Sequence, residues 1–343
     1  MKPARKRVSF TEIRSDAKEG LKELVNFDKL RAYFDLVQTR LQDLPKTNYD
    51  LGYRFAGEGK WTDAIFRFKV TLYLKSDYPL ANYNLGCCYM RTGETAKARA
   101  AFLKALKQSP GNPEVSFMLA SLDPAAMPAT QRPVRMPMDM VTGFFSNQAA
   151  GYDIAEANNQ YQAGKVIYDL ARPQVDAAAP AILDLGCGSG IAARPWRAGA
   201  ASIHGVDVTP AMLALADKAT HADKKLFDRL TNADISQLGP DVADGRADLV
   251  LLVNVVQFIG ELNGVLRGAA QALKPDGVLV ITTEPYADSG FGLVAATSRF
   301  GHSNAYVKQI AAAVGLMPLS ESTVELYSGV PAQALIFSKG THA

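Results

Sequence analysis

Between residues 182 and 190 the chain reads Ile-Leu-Asp-Leu-Gly-Cys-Gly-Ser-Gly, an apolar run that carries Asp184 into three alternating glycines, Gly186, Gly188 and Gly190. Such a run predicts a buried strand that turns through a glycine loop into a helix. There the backbone can bend sharply and come close to a ligand. The chemistry this allows is binding of a nucleotide-like ligand at a strand–helix turn. A second carboxylate, Asp207, follows Asp184 by 23 residues and ends the apolar run Ser202–Val206. At a strand tip it could accept two hydrogen bonds from a ribose diol. Behind it, Thr209 suits a helix cap and Pro210 a first helical turn. The dinucleotide fingerprint G-x-G-x-x-G/A wants a small residue at position 191; Ile191 stands there and disfavours a nicotinamide cofactor.

Positioning these groups requires a sheet. Apolar runs predict strands at Ala181–Leu185, Ser202–Val206, Arg229–Asn232, Asp248–Val253, Val278–Thr283, Pro318–Leu326 and Gln333–Ser338. Amphipathic segments separate the early ones, which argues for a parallel, doubly wound α/β arrangement. The last two are joined by a short turn around Ser328-Gly329 and predict an antiparallel edge hairpin. Pro195 falls about one turn into the helix after the glycine loop and is expected to kink or shorten it.

The first half is of another kind. Gly52, Gly86 and Ala120 recur at intervals of 34 residues, each preceded by leucine (Leu51, Leu85, Leu119). Phe55/Tyr89, Gly59/Gly93, Ala64/Ala98 and Phe68/Phe102 keep the same interval. A fixed period of this length signals stacked helical pairs, with small residues where helices approach and large ones filling the remainder. Two copies span about 48–81 and 82–115, a third helix follows near 114–122, and a helical segment over about 21–44 is expected to cap the array. The predicted organisation is a basic flexible leader (1–20), a helical-repeat domain (21–122), a linker rich in Pro and Met (123–140) and an α/β domain (141–343). The linker holds four prolines and four methionines.

Composition narrows the class. The 343 residues are 48% hydrophobic with a net charge of +3, and no apolar run approaches the length of a membrane span. No secretory signal follows the basic start. Cys87, Cys88 and Cys187 form no metal-ligand pattern, and a reducing, cytoplasmic setting fits them. His204 and His221 read as structural and solvated positions.

The 34-residue period resembles the tetratricopeptide (TPR) repeat. The segment from Asp184 onward resembles the class I S-adenosylmethionine (SAM)-dependent methyltransferases, in particular bacterial ones carrying N-terminal TPR repeats. Asn232-Ala233-Asp234-Ile235, the strand leading to Asn254-Val255-Val256-Gln257-Phe258, and Ala272-Leu273-Lys274-Pro275-Asp276-Gly277 add to the likeness in the right order. So do Phe145–Asp153 and Arg299–Tyr306. The resemblance implies a Rossmann-like, seven-stranded methyltransferase domain preceded by an all-α TPR domain, with SAM as cofactor. It implies cofactor contacts at Tyr152, Asp184, Gly186, Cys187, Gly188, Gly190, Asp207, Val208, Met212, Asp234, Ile235, Asn254 and Val255, with Asp234 on the adenine amino group.

A hydroxyl or thiol acceptor would call for a base. The candidates for catalytic or substrate contact are His302, Tyr161 and Glu284, with Tyr152 beside them. Phe258 stands where many relatives carry His or Tyr, which argues against a base there. The implied activity is methyl transfer to oxygen or nitrogen of a small-molecule or carrier-linked acceptor. The alternatives are a protein methyltransferase whose repeats choose the target and a TPR scaffold without catalysis. The repeats could equally bind a protein partner or serve only to pack on the enzyme domain or self-associate, a homodimer is left open, and no metal is implied. Nucleic acid is disfavoured, because the fourth strand tip lacks an (N/D)-P-P-(Y/F) sequence.

Overall fold

The computed structural model describes residues 43–124, 132–157, 162–295, 297–327 and 330–340. The basic leader, the expected capping helix up to residue 42 and Tyr161 lie outside them. The chain divides into two compact units, Met1–Pro110 and Gly111–Ala343.

In the first unit, helices α1 (Leu44–Gly57), α2 (Trp61–Leu74), α3 (Ala81–Arg91) and α4 (Thr95–Gln108) form two antiparallel pairs. The 34-residue period has a direct physical counterpart. A Cβ on Gly52 would lie 2.9 Å from the Phe68 ring, and one on Gly86 would lie 2.6 Å from the Phe102 ring. Each ring therefore occupies the space a side chain would need. Tyr49 meets Phe68 at 5.7 Å and Tyr83 meets Phe102 at 5.8 Å, the same aromatic pair one repeat apart. Both inter-helix turns pass through glycines at positive φ, Gly59 and Gly93.

The expected third repeat helix forms as α5 (Pro113–Leu122), capped by Asn112, whose side chain accepts from the Val115 N–H. It belongs to the second unit, so the boundary falls ahead of the predicted 123–140 linker. The physical reason is its apolar face: Phe117 and Ala120 are buried with Leu293 and Phe300. Nor is the stretch that follows a simple spacer. Val134 and Met136 are hydrogen-bonded to the backbone of Phe258–Glu261, and α6 (Met138–Ala157) begins inside the expected linker. Helix α7 (Ala163–Ala171) precedes the sheet.

The sheet comprises β1 (Ala181–Leu185), β2 (Ser202–Asp207), β3 (Arg229–Asn232), β4 (Ala247–Leu252), β5 (Leu273–Pro285), β6 (Phe291–Val294), β7 (Arg299–His302), β8 (Leu316–Tyr327) and β9 (Val330–Lys339). Its order is β8-β9-β5-β4-β1-β2-β3. Strands β1 to β5 run parallel, while β8 and β9 form the antiparallel edge hairpin. These seven correspond to the seven expected, and β6 and β7 are additional. They pair with each other, and β7 extends the end of β5 through Glu284–Gly301 and Pro285–His302. Apolar clusters fill both faces of the sheet, with α9 (Asn263–Ala272) and α10 (Asn304–Ala313) on one and α7 with Trp196 on the other. A short α8 (Pro210–Ala216) follows β2. After the glycine loop there is no α-helix: the chain passes through turns and a three-residue 3₁₀ piece, Arg194–Trp196, centred on Pro195.

Candidate active site

The strand order reverses beside β1, and a cleft opens there at the carboxyl ends of β1, β2 and β4. Its floor is the glycine loop. The N–H groups of Gly186 and Cys187 both donate to the Val206 carbonyl, at 2.7 and 3.0 Å, which ties the loop to the end of β2. Gly186 takes φ +74°, and a Cβ there would strike Val255 at 2.3 Å. Gly190, at φ +97°, is packed against Leu226 and Phe227 instead, and so serves the core rather than the cleft.

Asp207 sits at the tip of β2 with its carboxylate already clasped. Gly188 N–H donates to Oδ2 at 2.9 Å and Thr209 N–H to Oδ1 at 2.8 Å. The residue lines the cleft. Burial pushes its pKa up, and the two N–H bonds oppose that. Behind the loop lies Asp184, 1% exposed, whose Oδ2 has no hydrogen-bond partner among the described residues. Burial, with the Asp207 charge adding to it, pushes its pKa up to about 7.

The cleft encloses about 860 Å³, including the part open to solvent. It gathers Gly186, Cys187, Gly188, Asp207, Val208, Asp234, Ile235, Asn254 and Val255, nine of the thirteen cofactor positions expected from sequence. Asp184, Gly190 and Met212 stand behind this lining, Met212 supporting Gly188 from below. Tyr152 lies in α6.

Asp234 differs from the expectation. Its Oδ1 accepts from the N–H and hydroxyl of Ser236, at 3.0 and 2.8 Å, and its Oδ2 from Arg135 Nη2 at 2.9 Å. Burial raises its pKa, but Ser236 and Arg135 outweigh that and hold the carboxyl below its usual value. Arg135 was hidden in sequence within a proline-rich stretch. The signal that could have found it is its setting, Val-Arg-Met between Pro133 and Pro137. Met136, Met138, Val141 and Phe145 complete this cover.

A second, smaller pocket of about 360 Å³ adjoins the first, and Asn254 lines both. Asn254 takes a left-handed φ of +57°. It is held by Thr282 Oγ1, which accepts from its N–H at 2.7 Å, and by Gln257 Nε2, which donates to its Oδ1 at 2.7 Å. A strained non-glycine residue fixed this firmly marks a site where position matters. Glu284 belongs to this pocket. Thr297 donates to its Oε1 at 2.8 Å; burial raises its pKa, against the pull of Thr297 and Arg299.

His302 is not in either pocket, and the expectation of a catalytic or substrate role is corrected. It is 0% exposed, and its Nε2 donates to the carbonyls of Ile259 and Gly260, at 2.9 and 3.1 Å. Burial depresses its pKa to about 4. Neutral and stacked on Tyr306, it joins β7 to the turn after β4. Phe258 lines the cleft as an apolar wall. Among the described residues no group of three or more His, Cys, Asp and Glu could hold a metal, and no helix is long and apolar enough to cross a membrane.

Residues 183–281 match the family described as a methyltransferase domain. Residues 79–112 match the tetratricopeptide repeat. Among curated relatives, demethylmenaquinone methyltransferase of Tropheryma whipplei is 32% identical over 29% of this chain and 40% of its own length. Malonyl-[acyl-carrier protein] O-methyltransferase of Pseudescherichia vulneris is 31% identical over 42% of this chain and 53% of its own. The chain thus spans about half the length, or less, of these relatives. Among solved structures, the [4+2]-cyclase SpnF aligns with a TM-score of 0.50 at 18% identity, covering 62% of this chain and 99% of that one. The second unit therefore has the Rossmann-like fold of class I methyltransferases.

Proposed function

We propose that the protein is a SAM-dependent methyltransferase that acts on oxygen or nitrogen of a small-molecule or carrier-linked acceptor. The observation that carries this reading is the Asp207 carboxylate, held at the tip of β2 by Gly188 and Thr209 in the lining of the cleft. Such a carboxylate matches a ribose diol. The rest of the cleft fits the same ligand. Ser189 and Thr209 belong to its lining, and the Ser189 hydroxyl behind it has no partner among the described residues. Val208, Ile235 and Phe258 offer apolar walls for a base. The oxygen of Asp184 behind the loop is an unfilled acceptor that suits an ammonium group or a bridging water. The methyltransferase-domain match over these same residues supports the reading from sequence.

When bound, SAM supplies a methyl carbon activated by sulfonium. The protein's share is alignment and dehydration. The glycine loop and Asp207 would hold the ribose end, and Met136, Met138, Val141 and Phe145 would cover it on the opposite side. At the far side, Glu284 can take the proton of an acceptor hydroxyl; its raised pKa brings it nearer the range useful to a base.

Calorimetry with SAM is the test. Asp207→Asn turns one acceptor oxygen into a donor facing an N–H group, and SAM affinity is expected to fall at least about tenfold, the worth of a hydrogen bond to a charged group. No heat of binding from the wild-type protein at sub-millimolar SAM would overturn the proposal. Recognition of a protein acceptor is a second reading, favoured by the tetratricopeptide match. Labelled-methyl transfer into a fractionated lysate separates the two by where the label appears. We infer a cytoplasmic setting from the sequence pattern of Cys87, Cys88 and Cys187, whose spacing suits no disulfide framework or metal site.

A further inference from the structure

An ion pair joins two segments of the larger cleft's wall. The strap 132–137 lies along the turn after β4. The Met136 N–H donates to the Phe258 carbonyl at 2.8 Å, and the Gly260 and Glu261 N–H groups donate to the Val134 carbonyl at 2.8 and 3.0 Å. Arg135 forms an antiparallel bridge with Ile259, and Pro133 and Pro137, whose rings fix φ, bracket it. Its backbone is therefore held on both sides. Its side chain reaches Asp234, 99 positions along, with Nη2 2.9 Å from Oδ2. Asp234 is held as firmly. Ser236 donates to its Oδ1 through both N–H and hydroxyl, and a Cβ on Gly264, at the start of α9, would meet the Ser236 carbonyl at 2.4 Å. Arg135 also borders an outer pocket whose other walls, Pro113, Ser116, Phe117, Pro133 and Pro137, carry no charge. Asp234 is thus the carboxylate its guanidinium serves among the described residues.

We propose that Arg135 is a positioning residue for base recognition: it fixes the Asp234 carboxylate so that this group accepts from the exocyclic amino group of adenine. This deepens the SAM-binding reading and rests on it. Both residues line the cleft, with 35% of the Arg135 side chain and 25% of the Asp234 side chain exposed. Ala233 and Ile235 flank Asp234 in the same lining and offer apolar contact to a purine face. An ionised carboxylate accepts from an amino group and repels a carbonyl oxygen, so it can tell the two apart at the edge of a base. Against burial, Ser236 and Arg135 hold the Asp234 carboxyl below its usual value, which keeps it ionised at neutral pH. Clamped on one oxygen by Ser236 and on the other by Arg135, it meets a ligand already oriented. Ser236 lies two residues away and belongs to the same turn. Arg135 arrives from a separate segment, so it is the residue that ties base recognition to the strap, whose Met136 lines the cleft beside it.

The test is calorimetry on the full-length protein with S-adenosylhomocysteine and S-inosylhomocysteine, whose bases differ in carrying an amino group or a carbonyl oxygen. Wild type is expected to bind the adenine compound at least about tenfold more tightly, the worth of a hydrogen bond to a charged group. Arg135→Met keeps the apolar stem and removes the charge. The preference then shrinks severalfold through weaker binding of S-adenosylhomocysteine, and Arg135→Lys restores part of it. The thermal midpoint of the ligand-free protein moves little, since a part-exposed ion pair adds little to stability. Asp234→Asn removes the preference by itself, and adding Arg135→Met to it changes nothing further, because the arginine acts through the carboxylate. If Arg135→Met does not fold, Arg135→Lys and Asp234→Asn carry the test. Equal binding of the two compounds by wild type, an unchanged preference in Arg135→Met, an equal loss for both compounds, or additive effects of the two substitutions overturns the role of Arg135 and leaves the SAM reading standing. Binding of neither compound by wild type overturns the SAM reading, and this role falls with it.

Discussion

Two buried ionisable residues in the second unit pull its acid stability in opposite directions. His302 has a pKa near 4 in the folded chain, below the ordinary value of 6.5, so the fold favours its neutral form. Its contribution is complete above pH 6.5 and is lost as pH falls toward 4, a span worth on the order of 3 kcal/mol. Asp184, raised to about 7, behaves oppositely: its protonated form is favoured, and stability declines as pH rises from 3.8 to about 7. A difference measurement separates them. The stability gap between wild type and His302→Asn is expected to be wide at pH 7 and to close toward pH 4.5. Urea unfolding followed by Trp196 fluorescence in a Trp61→Phe background reads it; a gap that does not vary with pH would contradict the assignment. The contrast also shows what sequence can reveal of a residue. Asp207 was legible because its chemistry is local: a strand tip, a fixed distance from a glycine loop. His302 was not, because its partners, the carbonyls of Ile259 and Gly260, lie more than forty positions away. No periodicity signals whether a histidine at the end of a strand faces solvent or the core.

At the level of helices and strands, spacing proved most informative where packing is repetitive. Gly86 was predictable as a small residue, but only the fold shows that the Phe102 ring occupies its missing side chain. Gly86→Ala is therefore expected to cost roughly 1–3 kcal/mol, as overpacking does, even though alanine is the better helix former. Gly57→Ala, with nothing within 4 Å of the new carbon, is expected to be neutral or to stabilise by up to about 1 kcal/mol. Far-UV circular dichroism during urea unfolding distinguishes the two, and equal effects would show that the ring can yield. The strands flanked by turn residues were legible for the same reason. Strands β6 and β7 were not: four residues each, rich in Phe and Gly, they lack the alternation that identifies a strand and form only because β5 offers an edge. The 132–137 strap shows the same limit. Its prolines suggested a spacer, whereas its hydrogen bonds to Phe258–Glu261 bring Arg135 to Asp234.

For the whole molecule, the division at Pro110 yields a sharp expectation about truncation. A chain beginning at Gly111 keeps Phe117, which is 1% exposed and meets Phe300 at 6.1 Å. A chain beginning at Asp123 loses that ring and leaves the Leu293–Phe300 surface bare. The shorter chain is expected to be less stable by roughly 3–5 kcal/mol, the usual cost of removing a buried phenylalanine. Differential scanning calorimetry compares them, and matching transitions would argue that α5 belongs functionally to the repeats. Both truncations also ask whether SAM binding survives without the tetratricopeptide unit.

Pro195 also bears on the electrostatics of the cleft. A long helix starting at the glycine loop would aim the positive end of its macrodipole at the cleft. Here the three-residue 3₁₀ piece at Arg194–Trp196 takes its place and sums almost no dipole. A sulfonium ligand held there would meet little repulsion from below.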